Sequence, residues 1–175
     1  MLSSRYLLIP FLLQALLMAV DEFYFHWQRK LPKWERIGHP LDTVTVLTCL
    51  GFLLLVPPSP FTVTIYALLS IFSCLFVTKD EWVHRRECRA GEQWLHALLF
   101  ILHPVLFISA GLLWMALHSD SASLFNLIRY AGFERRFFVG NFLLIVAFGL
   151  YQVIYWNFVW KKLPVTPSTM KSTTT

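Results

Sequence analysis

The sequence predicts an all-α integral membrane protein with about five transmembrane helices. Of its 175 residues, 57% are hydrophobic and 14% are charged, whereas a soluble domain is typically about 45–50% apolar and about 25% charged. The apolar residues form long blocks, and a helix needs roughly 20 such residues to cross a bilayer. These blocks do not alternate apolar with polar residues, which argues against a transmembrane β-barrel. The composition also excludes a disordered chain, a coiled coil, a disulfide scaffold and a typical soluble enzyme.

Five apolar blocks are the predicted spans. They cover residues 2–25, 41–56, 61–78, 92–117 and 137–160. The first is a retained helix rather than a cleaved signal peptide, because Val20 is not a small cleavage-site residue and the acidic Asp21 and Glu22 follow it. Three prolines in the link between spans two and three must end the second span. These two spans should therefore be antiparallel neighbours.

The segments outside the spans are an outer loop and a tail. Residues 118–136 form the loop, and within it the apolar residues have the spacing of one helix face, which predicts a short helix on the outer interface. Those residues are Leu124, Leu127, Ile128 and Ala131. Residues 161–175 are rich in Thr and Ser and are predicted to be a disordered cytoplasmic tail.

Orientation follows from the distribution of Lys and Arg, which are concentrated on the cytoplasmic side of membrane proteins. With five spans, eleven of them fall on one side: Arg29, Lys30, Lys33, Arg36, Lys79, Arg85, Arg86, Arg89, Lys161, Lys162 and Lys171. Four fall on the other: Arg5, Arg129, Arg135 and Arg136. We therefore expect the N-terminus outside and the C-terminus in the cytoplasm. The net charge of +5 then reflects topology and attraction to the anionic headgroups of the bilayer, and no nucleic-acid partner is expected.

The cysteines and tryptophans fit roles that are common in membrane proteins. Cys49, Cys74 and Cys88 form no Cys-x-x-Cys pair, so we expect three reduced thiols and neither a zinc knuckle nor a thioredoxin-type pair. Six tryptophans lie near the predicted cytoplasmic boundary and are typical of an aromatic belt. They are Trp27, Trp34, Trp82, Trp94, Trp156 and Trp160.

A pattern of acids and histidines occurs twice. The first span ends in DEFYFH, starting at Asp21, and the third ends in DEWVH, starting at Asp80. The second span is entered through ERIGH, starting at Glu35, and the fourth through EQWLH, starting at Glu92. We interpret residues 1–117 as two pseudo-symmetric hairpins, related by an axis along the membrane normal. They would form a four-helix bundle, to which the last span adds a fifth helix.

The repeat brings together side chains that suit a metal ion. Residues i and i+4 share a helix face, so each Glu-x-x-x-His pair can point at one centre. Carboxylate and imidazole are the ligands of zinc and non-haem iron, and the arrangement is analogous to soluble di-iron bundles, although those use i+3 spacing. The candidate ligands are Asp21, Glu22, His26, Glu35, His39, Asp80, Glu81, His84, Glu92, His96 and His103. Gln14 and Asn141 are the main polar residues deeper in the spans.

Several functions remain open. The first is a metal-dependent enzyme, with iron for oxidation or zinc for hydrolysis, acting on a lipid or other hydrophobic substrate at the cytoplasmic leaflet. The abundance of carboxylates and the pseudo-symmetry favour two ions. Alternatives are a small transporter or ion-binding protein, a haem protein using His103, and a non-catalytic membrane subunit. The acids and histidines could also be ordinary juxtamembrane charges that pair across the loops.

Overall fold

The computed structural model describes residues 2–118, 128–129 and 133–160. Within this part of the chain, five helices are long and apolar enough to cross a membrane. They are Arg5–Arg29, Lys33–Leu55, Pro60–Arg86, Ala90–His118 and Phe133–Val159. The prediction of a helical protein with five candidate membrane spans is therefore confirmed, and such helices are those expected of a multi-pass membrane protein.

These spans are built from seven α-helical segments and shorter turns. The α-helices are α1 (Ile9–Val20), α2 (Trp27–Arg29), α3 (Lys33–Leu55), α4 (Pro60–Phe76), α5 (Glu81–Glu87), α6 (Ala90–His118) and α7 (Phe133–Ile154). Turns of 3₁₀ helix cover Ser4–Leu8 and Val77–Asp80, and π-helical turns cover Asp21–His26 and Tyr155–Val159. The strands β1 (Leu2–Ser3) and β2 (Ile128–Arg129) form one short parallel pair.

The second span begins earlier than the sequence predicts. Helix α3 begins at Lys33 rather than near residue 41, with the extended Pro32 as its N-cap. The helix continues through Pro40, because helices in membranes tolerate proline where neighbouring groups satisfy the freed backbone. Glu35 and His39, expected in the loop before the span, therefore lie on its first two turns. Both side chains can then face the bundle interior.

The short proline link positions α3 beside α4. Ser59 and Thr62 form a reciprocal capping box, and Pro60 occupies the first turn, where it costs no hydrogen bond. As predicted, the two helices pack against each other as neighbours. Helix α1 packs mainly on α6, and α3 packs mainly on α7. Gly149 permits the close approach of α7 to α3, since a Cβ there would lie 2.9 Å from Thr43 Cγ2.

An apolar core fills the end of the bundle opposite the acids and histidines. Its largest fully buried side chains include Phe11, Leu50, Leu113 and Trp114. Trp114 Nε1 donates a hydrogen bond to the carbonyl of Val56 at 2.8 Å, which ties α6 to the end of α3.

Some predictions stay untested by this architecture. The proposed interfacial helix rests on four residues of the 118–136 loop, of which Leu124, Leu127 and Ala131 lie outside the described residues, while Ile128 lies in strand β2. The tail 161–175 lies outside the described residues entirely. The pseudo-symmetric pairing of two hairpins and the orientation in the membrane also stay predictions.

Candidate metal centre

Four histidines and four carboxylates are buried together at one end of the helices. We call this set the His/carboxylate cluster, and each member is at most 9% exposed. Its members are Asp21, Glu22, His26, Glu35, His39, His84, Glu92 and His96. All eight are among the eleven candidate ligands identified from the sequence, and they come from four separate segments of the chain.

A π-helical turn aligns the contribution of the first span. Over Asp21–His26 the backbone is π-helical, and such single turns inside longer helices are frequent at functional sites. Because π-helix bonding joins residues five apart, Asp21 and His26 come onto one face. His26 Nε2 lies 3.3 Å from Asp21 Oδ2, and His26 Nδ1 lies 3.2 Å from Glu22 Oε2. Both acids of the first span therefore contact the same imidazole.

Two carboxylates lie between the histidines of the two halves of the repeat. Asp21 contacts His26 through one oxygen, while its other oxygen, Oδ1, lies 3.0 Å from His96 Nε2 on α6. Glu35 lies 3.8 Å from His39 Nε2 through Oε2, and 3.8 Å from His84 Nε2 through Oε1. The carboxylates are thus arranged to connect ligands from one half with ligands from the other.

Three overlapping groups of side chains could hold a metal ion. Within each group, the candidate ligand atoms lie within 4.8 Å of one another. Ligand atoms in a tetrahedral zinc site with bonds of about 2.1 Å are about 3.4 Å apart, so a bound ion would draw these side chains closer together. The groups are His26, Glu35 and His39; Asp21, His26, Glu92 and His96; and His84, Cys88 and His96. The first and third groups share no residue, so both can be occupied at once, with Asp21 between them.

The histidine rings follow one another through the cluster. Ring centroids are 4.8 Å apart for His26 and His39, 6.2 Å for His39 and His84, and 4.1 Å for His84 and His96. The four rings therefore form one continuous group.

Several ring nitrogens in the cluster lack hydrogen-bond partners among the described residues. They are His26 Nε2, His39 Nε2 and His96 Nδ1. The contact of His26 Nε2 with Asp21 does not have hydrogen-bond geometry, and that of His39 Nε2 with Glu35 is too long. A buried polar atom without a partner costs about 1–3 kcal/mol, and a metal ion would supply the missing interaction.

The outer contacts of the cluster resemble the supports of a metal site. A histidine that binds a metal through one nitrogen usually donates its other N–H to a carboxylate. Nδ1 of His26 is hydrogen-bonded to Glu22, and Nε2 of His96 is hydrogen-bonded to Asp21. In both rings the opposite nitrogen is the one that lacks a partner. Trp156 Nε1 donates to Glu22 Oε1 at 2.5 Å, which fixes that carboxylate in turn.

Arg29 is the cation that compensates part of the acidic charge. It forms a bidentate pair with Glu35, with Nη2–Oε2 and Nη1–Oε1 distances of 2.6 and 3.1 Å. Its Nε also donates to Glu92 Oε1 at 3.0 Å. One guanidinium thus faces four buried carboxylates, and Arg29 pairs with only two of them. Buried charge without a partner is costly, so additional positive charge would stabilise the cluster.

Cys88 lies at the edge of the cluster, between two of the spans. Its sulfur belongs to the third ligand group with His84 and His96. Burial raises the pKa of the Cys88 thiol, so it is protonated at neutral pH in the absence of a metal ion. The sulfur is consequently a weaker candidate ligand than the imidazole and carboxylate groups.

The other candidate ligands lie elsewhere. Glu81 is exposed and belongs to none of the three groups, and the side chain of Asp80 lies outside the described part of the structure. His103 is buried, but it forms a 3.0 Å hydrogen bond with Ser73 and is not in a ligand group. Glu22 contacts His26 from beside the groups rather than from within one.

For three residues of the site, the sequence does not predict the role that the structure shows. The sequence indicates only a topology signal for Arg29 and a reduced thiol for Cys88. Trp156 is predicted to belong to the aromatic belt, but it is 1% exposed and donates a hydrogen bond to Glu22. The contacts of Trp156 with Glu22 and of Arg29 with Glu92 join distant parts of the chain, so no local pattern predicts them. Cys88, in contrast, follows His84 at the i, i+4 spacing of one helix face.

An elongated cavity of about 450 Å³ opens from the cluster into the helices. Asp21, His39, His84 and His96 line its end at the cluster, and the remaining wall is largely apolar. Its volume falls in the range of about 300–1,000 Å³ that is usual for small-molecule sites. Apolar side chains of four helices form the wall: Phe11, Met18, Val46, Leu99, Phe100, Leu106, Leu144, Ile145 and Phe148. Comparisons of the chain with protein-family models, curated proteins and solved structures found no match.

Proposed function

We propose that the protein is a metal-dependent membrane enzyme with two metal ions in the His/carboxylate cluster. The observation that carries the proposal is the convergence of four buried histidines and four buried carboxylates beside a largely apolar cavity. Two divalent ions would give partners to the buried ring nitrogens and would offset the negative charge of the carboxylates.

One ion would belong to each half of the repeat. His26, Glu35 and His39 would hold the first ion, and His84 and His96 would hold the second, with Cys88 or Glu92 nearby. Asp21 would lie between the two ions, since it contacts a histidine of each group. This assignment supports the interpretation of two pseudo-symmetric hairpins whose ends form one bundle.

Iron fits the cluster better than zinc. Carboxylates placed between two imidazole-containing groups resemble the ligand set of soluble di-iron bundles. The cavity is largely apolar beyond the cluster, which suits a hydrocarbon substrate better than the water-dependent cleavage that zinc would catalyse. With iron, the reaction would be oxidation of the substrate by dioxygen, with an external electron donor. The Lys and Arg distribution supports a site at the cytoplasmic leaflet.

Metal analysis of the purified protein tests the proposal. We expect close to two ions per chain in the wild type, and an optical spectrum that distinguishes iron from zinc and from haem. His96→Ala should lower the metal content. His118→Ala is a matched control on the same helix, because His118 is exposed at the opposite end of α6. Absence of metal from the wild type, or equal loss in both variants, would contradict a metal centre here.

A further inference from the structure

Two amides lie at the same depth inside the cavity. Phe11 of α1 and Phe138 of α7 are in edge contact, with ring centroids 5.8 Å apart. Gln14 and Asn141 each follow one of these rings by three residues, which moves both about 4.5 Å along their helices toward the cluster. Both amides line the cavity. They are thus placed to bind one polar group between α1 and α7.

Gln14 has an atom that a ligand would satisfy. Its Oε1 is buried, and none of the described residues donates a hydrogen bond to it. An acceptor without a partner inside the apolar part of a membrane is costly, because no water reaches it there. Asn141 offers both donors and an acceptor across the cavity. A hydroxyl group, which donates and accepts, fits this pair.

Side chains of α1 and α7 form one wall of the cavity. The two helices are in contact near both ends. Near one end, Phe11 packs against Phe137 and Phe138. Near the other, Phe23 contacts Tyr151, and Glu22 accepts a hydrogen bond from Trp156. Between these closures, their side chains line the cavity instead of packing together. Leu144 of α7 lines the cavity and is also 58% exposed. An entrance between α1 and α7 would therefore open directly to the bilayer.

The lining excludes an anionic lipid headgroup. The charged residues that line the cavity within the described part of the chain are the acids Asp21 and Asp42, and none is Lys or Arg. A phosphate bound beside Gln14 and Asn141 would therefore find no Lys or Arg among the residues that line the cavity. A neutral hydroxyl remains the polar group that the cavity fits.

We propose that the cavity binds a neutral long-chain alcohol that enters from the bilayer between α1 and α7. Its hydroxyl is bound by Gln14 and Asn141, and its hydrocarbon chain extends toward the His/carboxylate cluster. Seven residues separate Gln14 from Asp21, so the two polar groups are about 10 Å apart along the helix. This inference deepens the proposed function and rests on it for the identity of the reacting end, but binding itself does not require the metal ions.

Photolabelling in nanodiscs of phosphatidylcholine tests this site. The probe is a long-chain primary alcohol with a photoreactive diazirine in its chain, and the competitors are the unlabelled alcohol and the alkane of the same length. We expect labelling on peptides of α1 and α7, with the alcohol competing better than the alkane. Gln14→Leu should weaken competition by the alcohol about 3- to 10-fold, the effect of one hydrogen bond. Competition by the alkane should be unchanged.

Two further variants test the position of the site. Met18→Trp should block labelling by filling the cavity, whereas Leu16→Trp, on the same helix at a side chain 60% exposed, should leave labelling intact. Asn141→Leu should have the same effect as Gln14→Leu, so either variant can serve if the other folds poorly. Equal losses for alcohol and alkane in the amide variants, or labelling that Met18→Trp does not reduce, would overturn the inference.

Metal analysis of the same samples separates the two proposals. Gln14→Leu should retain the metal content of the wild type, because Gln14 lies outside the cluster. Selective alcohol binding by a protein that holds no metal would contradict the proposed function and support the binding site. Full metal content without selectivity for the alcohol would contradict the alcohol site and support the metal centre.

Discussion

Asp21 and His96, which are 75 positions apart in the chain, lie side by side with Oδ1 3.0 Å from Nε2. The other oxygen of Asp21 lies 3.3 Å from His26 on its own span. One carboxylate therefore links an imidazole from each half of the repeated sequence pattern. Because all three side chains are buried, their geometry is held by helix packing rather than by solvent-exposed loops.

Asp21→Asn should weaken metal binding while preserving the shape of the site. The amide removes the negative charge and cannot accept hydrogen bonds through both terminal atoms. Loss of such a support typically lowers metal affinity about 10- to 100-fold. Metal titration of the chelator-treated protein measures the change. Asp42→Asn is the matched control, since Asp42 also lines the cavity but pairs with Lys79. A similar loss in both variants would show that Asp21 has no special part.

Arg29→Gln should destabilise the metal-free protein more than the metal-loaded protein. Removing the guanidinium leaves Glu35 and Glu92 buried without their cation, which typically costs about 3–5 kcal/mol. Bound ions would offset part of that charge. Thermal unfolding with and without chelator measures both losses, and Arg36→Gln, which removes an Arg that bonds the Leu31 carbonyl, is the control. An equal loss in both metal states would argue against positive charge supplied by a metal.

Trp156→Phe should weaken metal binding with little change in fold. The substitution keeps an aromatic ring in the buried position but removes the N–H that donates to Glu22. Glu22 would then hold His26 less firmly, and we expect a loss in metal affinity of about 10-fold or more. Equilibrium metal titration measures it. Trp94→Phe, at a side chain 74% exposed, should have no effect.

The orientation can be tested with reporter fusions. A reporter fused after Lys162 should report the cytoplasm, and one inserted near Ser121 should report the outside, because Lys and Arg are concentrated on the side of the cluster. The reverse pattern would place the cluster at the outer leaflet and would contradict the proposed access from the cytoplasmic side.

The repeat in the sequence identified the cluster because its residues carry chemistry in a regular spacing. Glu35 with His39 and Glu92 with His96 each occupy one helix face at i and i+4, and all four are buried. The sequence predicts the helix around Glu92 and His96, but not the one around Glu35 and His39. Pro40 suggested that the second span begins after it, whereas α3 continues through that residue from Lys33.

The repeat did not predict where the symmetry ends. Glu81 corresponds to Glu22 in the pattern, yet Glu81 is exposed while Glu22 is buried. The first span has a π-helical turn over Asp21–His26, and the third has a 3₁₀ turn over Val77–Asp80. A 3₁₀ turn is tighter than an α-helical turn and a π-helical turn is wider. Side chains at equivalent positions of the repeat therefore point in different directions. Arg29 and Trp156 depend on contacts between distant spans, which spacing alone does not reveal.

Metal content of two single variants and their double variant tests most directly whether both halves build one centre. His39→Ala alters the first half, and His96→Ala alters the second. We expect each single variant to lose more than one of the two ions, because Asp21 contacts a histidine of both groups and couples them. The double variant should then be little lower than the worse single, because residues that serve one function are strongly non-additive. If His39→Ala retains the full metal content while His96→Ala abolishes it, the shared centre is contradicted, and a smaller site around Glu92 and His96 would replace it.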